Sequence, residues 1–320
     1  MSHSSYFKNN EITIEVTNNC SASCVMCPRE LMTKPIERMT DEVWRKTVDD
    51  AFAHDIKVLD LCGYGDVFLD KDLFRKLDYA KSLNPEFHVY VSTTGAAMFP
   101  RKFEQTLEYI DTLKFSIYGT TKDVYEKMME GCDFDKSMSN ILDFLNFQAG
   151  SSSATWMIAN YIVMEENAHQ LQDWIDMWEP KMDEVYAWKP HNWVTARDYR
   201  DMSGKTQSSC GRPLDGPLNI ASNGDAHVCC YDFNKVLTVG NIREQSIDEI
   251  LSGEAMKFIQ EKHRNNDFDG LICADCDQTT KDDSVLIYKS NPDRVVGMSN
   301  SSMYVYDTPV STDSRVELRL

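Results

Sequence analysis

Cys20, Cys24 and Cys27 stand in the run Thr17-Asn18-Asn19-Cys20-Ser21-Ala22-Ser23-Cys24-Val25-Met26-Cys27-Pro28. Three thiolates this close can ligate three corners of an iron–sulfur cubane, whereas four are needed to fill it. One iron is then left open, the property that separates a catalytic metal centre from a structural one. The competing assignment is a zinc site completed by a histidine, and the nearest, His54, falls inside a predicted helix. A second set lies far downstream: Cys210 before Gly211-Arg212-Pro213, Cys229, and the CxxC pair Cys273 and Cys276 after Leu271-Ile272. Four thiolates close a cubane, which leaves electron transfer as its work; tetrahedral zinc would be satisfied by the same four. Cys62, Cys132 and Cys230 remain unassigned by spacing.

The elements that must position these residues alternate strand and helix over the first 200 residues. Strands are expected at Ile12 to Val16, Lys57 to Leu61, Phe87 to Ser92, Thr112 to Tyr118, Trp156 to Met164 and Glu184 to Trp188. Helices are expected from Thr40 to Ala53, Lys71 to Leu83, after Pro100, along one long stretch to about Phe147, and from Asn167 to Trp178. Six βα units of this kind predict an α/β fold, a partial (β/α)6 TIM-like barrel with its chemistry at the carboxyl ends of the strands. From about Lys205 the pattern changes to a hairpin, Pro217 to Ala221 and Asp225 to Cys229 turning at Asn223-Gly224, then helices from Ser246 and from Glu254 to His263. The expected units are 1–204, 205–280 and a tail over 281–320 with no confident element.

CxxxCxxC at the end of the first strand of such a barrel resembles the radical S-adenosylmethionine (SAM) superfamily. The resemblance implies a [4Fe-4S] cluster on Cys20, Cys24 and Cys27, SAM on its open iron, and reductive cleavage of SAM to a 5'-deoxyadenosyl radical. Three further segments fall in the family's order: Leu61-Cys62-Gly63-Tyr64-Gly65-Asp66, Ser92-Thr93-Thr94-Gly95, and Phe115-Ser116-Ile117-Tyr118-Gly119. Relatives carry Glu-Pro where this chain has Asp66-Val67, so the carboxylate is one methylene shorter. By resemblance, SAM is contacted by Met26, Gly63, Tyr64, Gly65, Asp66, Thr94 and Ser116, with Lys127 as a supporting cation. The order of the downstream cysteines around Val239-Gly240-Asn241-Ile242 and Ser246-Ile247-Asp248-Glu249-Ile250 resembles the twitch form of the SPASM module. That implies a small C-terminal module with a second, auxiliary [4Fe-4S] cluster on Cys210, Cys229, Cys273 and Cys276.

Radical SAM enzymes with one auxiliary cluster include dehydrogenases of the 2-deoxy-scyllo-inosamine type, which the cysteine arrangement resembles. The implied reaction is oxidation of a carbinol on a small sugar- or aminocyclitol-like substrate, with a flavodoxin or ferredoxin as electron donor. Epimerases that return hydrogen from a thiol, here Cys62 or Cys230, and peptide-modifying enzymes share the module. Cys20 comes too early for a peptide-recognition domain before the barrel, which favours a small substrate. His191 and Arg197, in the aromatic stretch after the last strand, are candidates for base and substrate anchor. Outside this chemistry stand an iron–sulfur carrier and a zinc scaffold. With 33 Lys+Arg against 51 Asp+Glu, the net charge of −18 opposes nucleic acid and anionic membranes as partners. The absence of an apolar run long enough for a span or a signal predicts a cytoplasmic protein, and ten cysteines in 320 residues are too sparse for a disulfide framework.

Overall fold

The computed structural model describes residues 6–280 and 285–291. Strands β1 (Glu11–Ile14), β2 (Ser23–Cys24), β3 (Val58–Leu61), β4 (His88–Thr93), β5 (Thr112–Ser116), β6 (Met129–Glu130), β7 (Trp156–Ile162) and β8 (Glu184–Trp188) alternate with helices α1 (Asp41–Ala53), α2 (Leu73–Leu83), α3 (Phe103–Tyr109), α4 (Lys122–Met128), α5 (Phe134–Ala149) and α6 (Leu171–Trp178). β1, β3, β4, β5, β7 and β8 pair in that order, all parallel, as the six expected barrel strands.

The period-two pattern of these strands sets which side chains enter the barrel. Ile12, Ile14, Leu59, Leu61, Val89, Val91, Leu113 and Phe115 are fully buried in the core beneath the helices. Burial of each such side chain stabilises the fold by about 1.5–3 kcal/mol, so a one-residue slip, which would turn them all inward, is strongly disfavoured. Their neighbours Thr13, Asp60, Cys62, Tyr90, Ser92, Lys114 and Ser116 are thereby committed to the lumen. Val58, Tyr90, Ile158 and Tyr186 form a smaller apolar cluster on that inner side.

Two expectations are corrected. The long helical stretch is broken into α4 and α5, because Met129–Glu130 leaves the helix to pair with Ser23–Cys24 and Gly131 turns the chain at φ +90°. A Cβ at Gly131 would lie 2.5 Å from the Ser21 carbonyl oxygen, so glycine permits this close approach to the cysteine loop. Part of the tail in which no element was expected is a strand.

The chain continues with α7 (Arg212–Asp215), β9 (Leu218–Ile220), β10 (Asp225–His227), β11 (Thr238–Asn241), α8 (Ile247–Ser252), α9 (Glu254–Arg264) and β12 (Leu286–Lys289). β9 adds to β1 in parallel and the β9–β10 hairpin turns at Gly224, φ +92°, so the downstream strands extend the barrel sheet to ten. β12 covers the other edge, antiparallel to β8. The rest of the expected tail, 281–284 and 292–320, lies outside the described residues. Among the described residues no helix is long and apolar enough to cross a membrane.

Candidate active site

The carboxyl ends of the barrel strands open into a cavity of about 340 Å³. Cys20, Cys24 and Cys27 line it together with Met26, Gly63, Tyr64, Gly65, Asp66, Thr94 and Ser116. The cysteine loop is held by its surroundings rather than by its own short length. Val25 N–H donates to the Met128 carbonyl at 3.1 Å, and Asp66 N–H donates to the Asn19 carbonyl at 2.8 Å. Arg29 donates to the carbonyls of both Asn18 and Tyr64. A Cβ on Gly65 would meet the Thr17 and Asn19 carbonyl oxygens at 2.2 and 2.6 Å, so only glycine lets this segment press against the cysteine loop.

A second, smaller cavity is lined by Cys210, Cys229, Cys273 and Cys276, which arrive from the start of α7, the end of the hairpin and the turn after α9. Cys273 and Cys276 are buried, which pushes their thiol pKa values up to about 12, while Cys210 and Cys229 are half-buried. Arg212, 2% exposed, lines the same cavity, and its Nε and Nη1 have no hydrogen-bond partner among the described residues. A buried cation without an acceptor is strongly unfavourable, so the donor set and its neighbour together fit an anionic four-thiolate centre. Among the described residues no three His, Cys, Asp or Glu are placed to hold a single metal ion.

Family models match both regions. Residues 14–177, just over half of the chain, match the radical SAM superfamily. The chain belongs to the radical SAM superfamily. Residues 210–277 match the SPASM iron–sulfur cluster-binding domain. Its cofactors are accordingly [4Fe-4S] clusters and SAM. The fold is similar to that of BtrN in complex with AdoMet and 2-DOIA (15% identity, 84% of this chain and 92% of that one, TM-score 0.58). It is also similar to Streptococcus suis SuiB bound to S-adenosylmethionine (14%, 84% and 71%, 0.59) and to anSMEcpe with bound AdoMet (12%, 86% and 92%, 0.62). No curated protein matches the chain in sequence.

Within this radical SAM site several residues sit differently from expectation. Lys127 is exposed in the last turn of α4 and does not line the cavity, which leaves it without a role as a SAM cation. Arg197 turns away from the cavity: its Nη2 donates to the Cys27 carbonyl and pairs with Glu30, both at 2.6 Å, so it braces the cysteine loop and does not anchor substrate. His191 does line the cavity, stacked between Trp193 and Tyr231 with centroids 4.2 and 3.9 Å away. Burial, Arg200 and Arg212 hold its pKa well below the usual range, and its Nδ1 accepts from Trp193 N–H at 3.3 Å. Nε2 therefore carries the proton, and the ring is a neutral donor, poorly suited to act as a base.

Asp66 lines the cavity, 2% exposed, but its carboxylate is already engaged. It accepts from Phe68 N–H, from the hydroxyls of Thr93 and Thr94 and from Thr94 N–H, at 2.7–3.1 Å. The shorter acid thus ties the glycine segment to the end of β4. Asp66→Ala should leave those buried donors unpaired, at about 1–3 kcal/mol each, and loosen the cradle. SAM affinity measured by calorimetry is expected to fall by about tenfold or more; unchanged affinity would show the segment to be a plain turn.

Residues that spacing alone missed come from the inward strand positions. Asp60 is 5% exposed and Tyr90 2%, they are direct register partners on β3 and β4, and Asp60 Oδ1 and the Tyr90 hydroxyl have no partner among the described residues. Lys114 lies 5.4 Å over the Tyr90 ring. The alternation Leu59-Asp60-Leu61-Cys62 carried the signal: a polar residue between core aliphatics must face the lumen. Glu15 accepts from Tyr64 N–H at 2.8 Å and pairs with Lys235 at 3.8 Å, while the Tyr64 hydroxyl donates to the Cys230 carbonyl at 2.7 Å. The glycine segment is thereby fastened to the hairpin module.

Burial pushes Asp60 up to about 7, opposed by Lys114; the groups facing it are Glu11, which is itself raised, Lys114, Tyr90, Cys62 and Cys230. The folded state favours protonated Asp60, so this contribution to stability is full below the ordinary carboxylate range and lost as pH rises through about 7. Asp60→Asn is expected to melt above the wild-type protein at pH 8, with the difference shrinking toward pH 5. A difference independent of pH in melting curves would refute this.

Proposed function

We propose that this radical SAM protein oxidises a carbinol carbon of a small polar substrate by two electrons. Cys20, Cys24 and Cys27 hold the first cluster, and Cys210, Cys229, Cys273 and Cys276 hold the auxiliary one. Three thiolates leave one iron of a cubane open for SAM, and four close it. When bound, the first cluster and SAM supply hydrogen-atom abstraction from the substrate carbon. What the chain itself supplies is the lumen wall: Asp60, Tyr90 and Lys114 to bind hydroxyl or amino groups, with Asp60 the carboxylate poised to take the hydroxyl proton. An auxiliary cluster on Cys210, Cys229, Cys273 and Cys276 would supply the acceptor for the remaining electron.

The observation that carries this reading is the wall shared by the two cavities. Tyr231 lines the large one, Arg212 lines the small one, and the guanidinium lies 4.6 Å over the tyrosine ring. The two cavities are therefore one residue stack apart, as electron export would require. The fold likeness to BtrN is consistent with a small ring substrate, and the polar inner face suits one.

A second reading has its own support. Cys62 and Cys230 both line the large cavity, and burial pushes both thiols up, Cys62 to about 12, so each keeps its S–H at neutral pH. A protonated thiol can return a hydrogen atom, which would make the reaction an epimerisation. Turnover of an aminocyclitol such as 2-deoxy-scyllo-inosamine in deuterated water separates the two. A two-electron-oxidised product without solvent deuterium at the reacting carbon is expected. Deuterium at that carbon, lost in Cys62→Ala or Cys230→Ala, would establish epimerisation in its place.

A further inference from the structure

Arg212 is a buried guanidinium without a carboxylate partner among the described residues; its one hydrogen bond, from Nη2 to Gln278 Oε1, is long at 3.4 Å. It is the second residue after Cys210, lines the cavity of the four downstream cysteines, and stacks on Tyr231 at 4.6 Å. Among the described residues no carboxylate pairs with it: Asp277 pairs through Oδ2 with Arg200 at 3.1 Å, its Oδ1 itself without a partner, and Asp232 accepts from Leu237 N–H at 2.6 Å. A buried guanidinium whose Nε and Nη1 have no acceptor is strongly unfavourable, a penalty that negative charge in the adjacent cavity would offset. Neutral thiols supply none. A cubane held by Cys210, Cys229, Cys273 and Cys276 would carry net negative charge and sulfur acceptors in the cavity that Arg212 lines.

We propose that Arg212 is the built-in counter-cation of the auxiliary [4Fe-4S] cluster and raises its reduction potential, so that the centre one stack from the substrate cavity accepts an electron readily. This rests on the two-cluster reading above. A fixed positive charge in a poorly solvated site favours the more negative, reduced state of the cluster, and hydrogen bonds to sulfur act in the same direction. Tyr231 supports the arrangement: its ring face receives the cation at 4.6 Å. Arg212 is thus a tuning residue and does not touch substrate.

The test is a redox titration of the fully loaded protein followed by electron paramagnetic resonance, comparing wild type with Arg212→Met and Arg212→Lys. Arg212→Met should favour the oxidised auxiliary cluster by about tenfold or more, a fall of about 59 mV or more for one electron. The three-cysteine cluster should keep its midpoint, and Arg212→Lys should lie between the other two. If Arg212→Met cannot hold the auxiliary irons, Arg212→Lys should still hold them, because it keeps the charge. Loss of those irons in both variants would overturn the proposal in favour of a packing role, as would an unmoved midpoint in Arg212→Met. Iron analysis of the wild type separates the two ways of failing: about four irons would overturn the two-cluster reading, whereas about eight with an unmoved midpoint would overturn only the role of Arg212.

Discussion

Cys24→Ala is expected to abolish SAM cleavage by the reduced protein and to lower iron from about eight to about four per chain. Cys24 faces the large cavity and pairs in register with Met129 through the β2–β6 bridge. Its backbone is therefore held by contacts that alanine leaves intact, and the loss should be confined to ligation. A thiol-only deletion is the sharpest test because the remaining two thiolates cannot hold a site-differentiated cubane. Iron and sulfide analysis, with 5'-deoxyadenosine as the product measured, checks both halves. A variant that retained eight irons, or that still cleaved SAM, would remove the loop from the chemistry.

The second large effect is expected from Cys276→Ala. Cys276 is buried beside Cys273, with its N–H donating to the Cys273 carbonyl at 3.2 Å, and the two approach Cys210 and Cys229 from the turn after α9. Removing one of four ligands should again cost about four irons, but here SAM cleavage should persist while oxidised product is no longer formed. Uncoupling of this kind follows from the proposed export of an electron. Under the alternative return of hydrogen from a thiol, product formation would survive. Because a metal centre that orders a small module contributes to its folding, a lower melting temperature is expected as well, and product should be normalised to folded protein.

The amino-acid sequence by itself determined the features whose geometry is local. Cys20, Cys24 and Cys27 lie within eight residues, so their closeness needs no tertiary contact. The alternation in β1, β3, β4 and β5 decides by burial alone which residues face the lumen, and this made Asp60 and Tyr90 legible in principle, although neither lies in a cysteine or glycine motif. Gly224 and the hairpin around it were likewise written in turn chemistry.

What the sequence could not determine is which distant groups compete for one another. Asp66 is close in type and position to a SAM-binding acid, yet the arrival of Thr93 and Thr94 from the next strand fills its lone pairs. Arg197 follows the last barrel strand, but the fold brings the Cys27 carbonyl and Glu30, some 170 positions earlier, within its reach. The break between α4 and α5 had a local mark in Gly131 and the capping Asp133, but Met129–Glu130 leaves the helix to form a two-residue bridge with Ser23–Cys24, a partner only the fold supplies. Arg212 and Tyr231 become a wall between two cavities only when α7 and the end of the hairpin meet. Spacing along a chain is fixed by covalent geometry; hydrogen-bond partners and charge neighbours are fixed by sheet register and packing, and only the tertiary structure decides them.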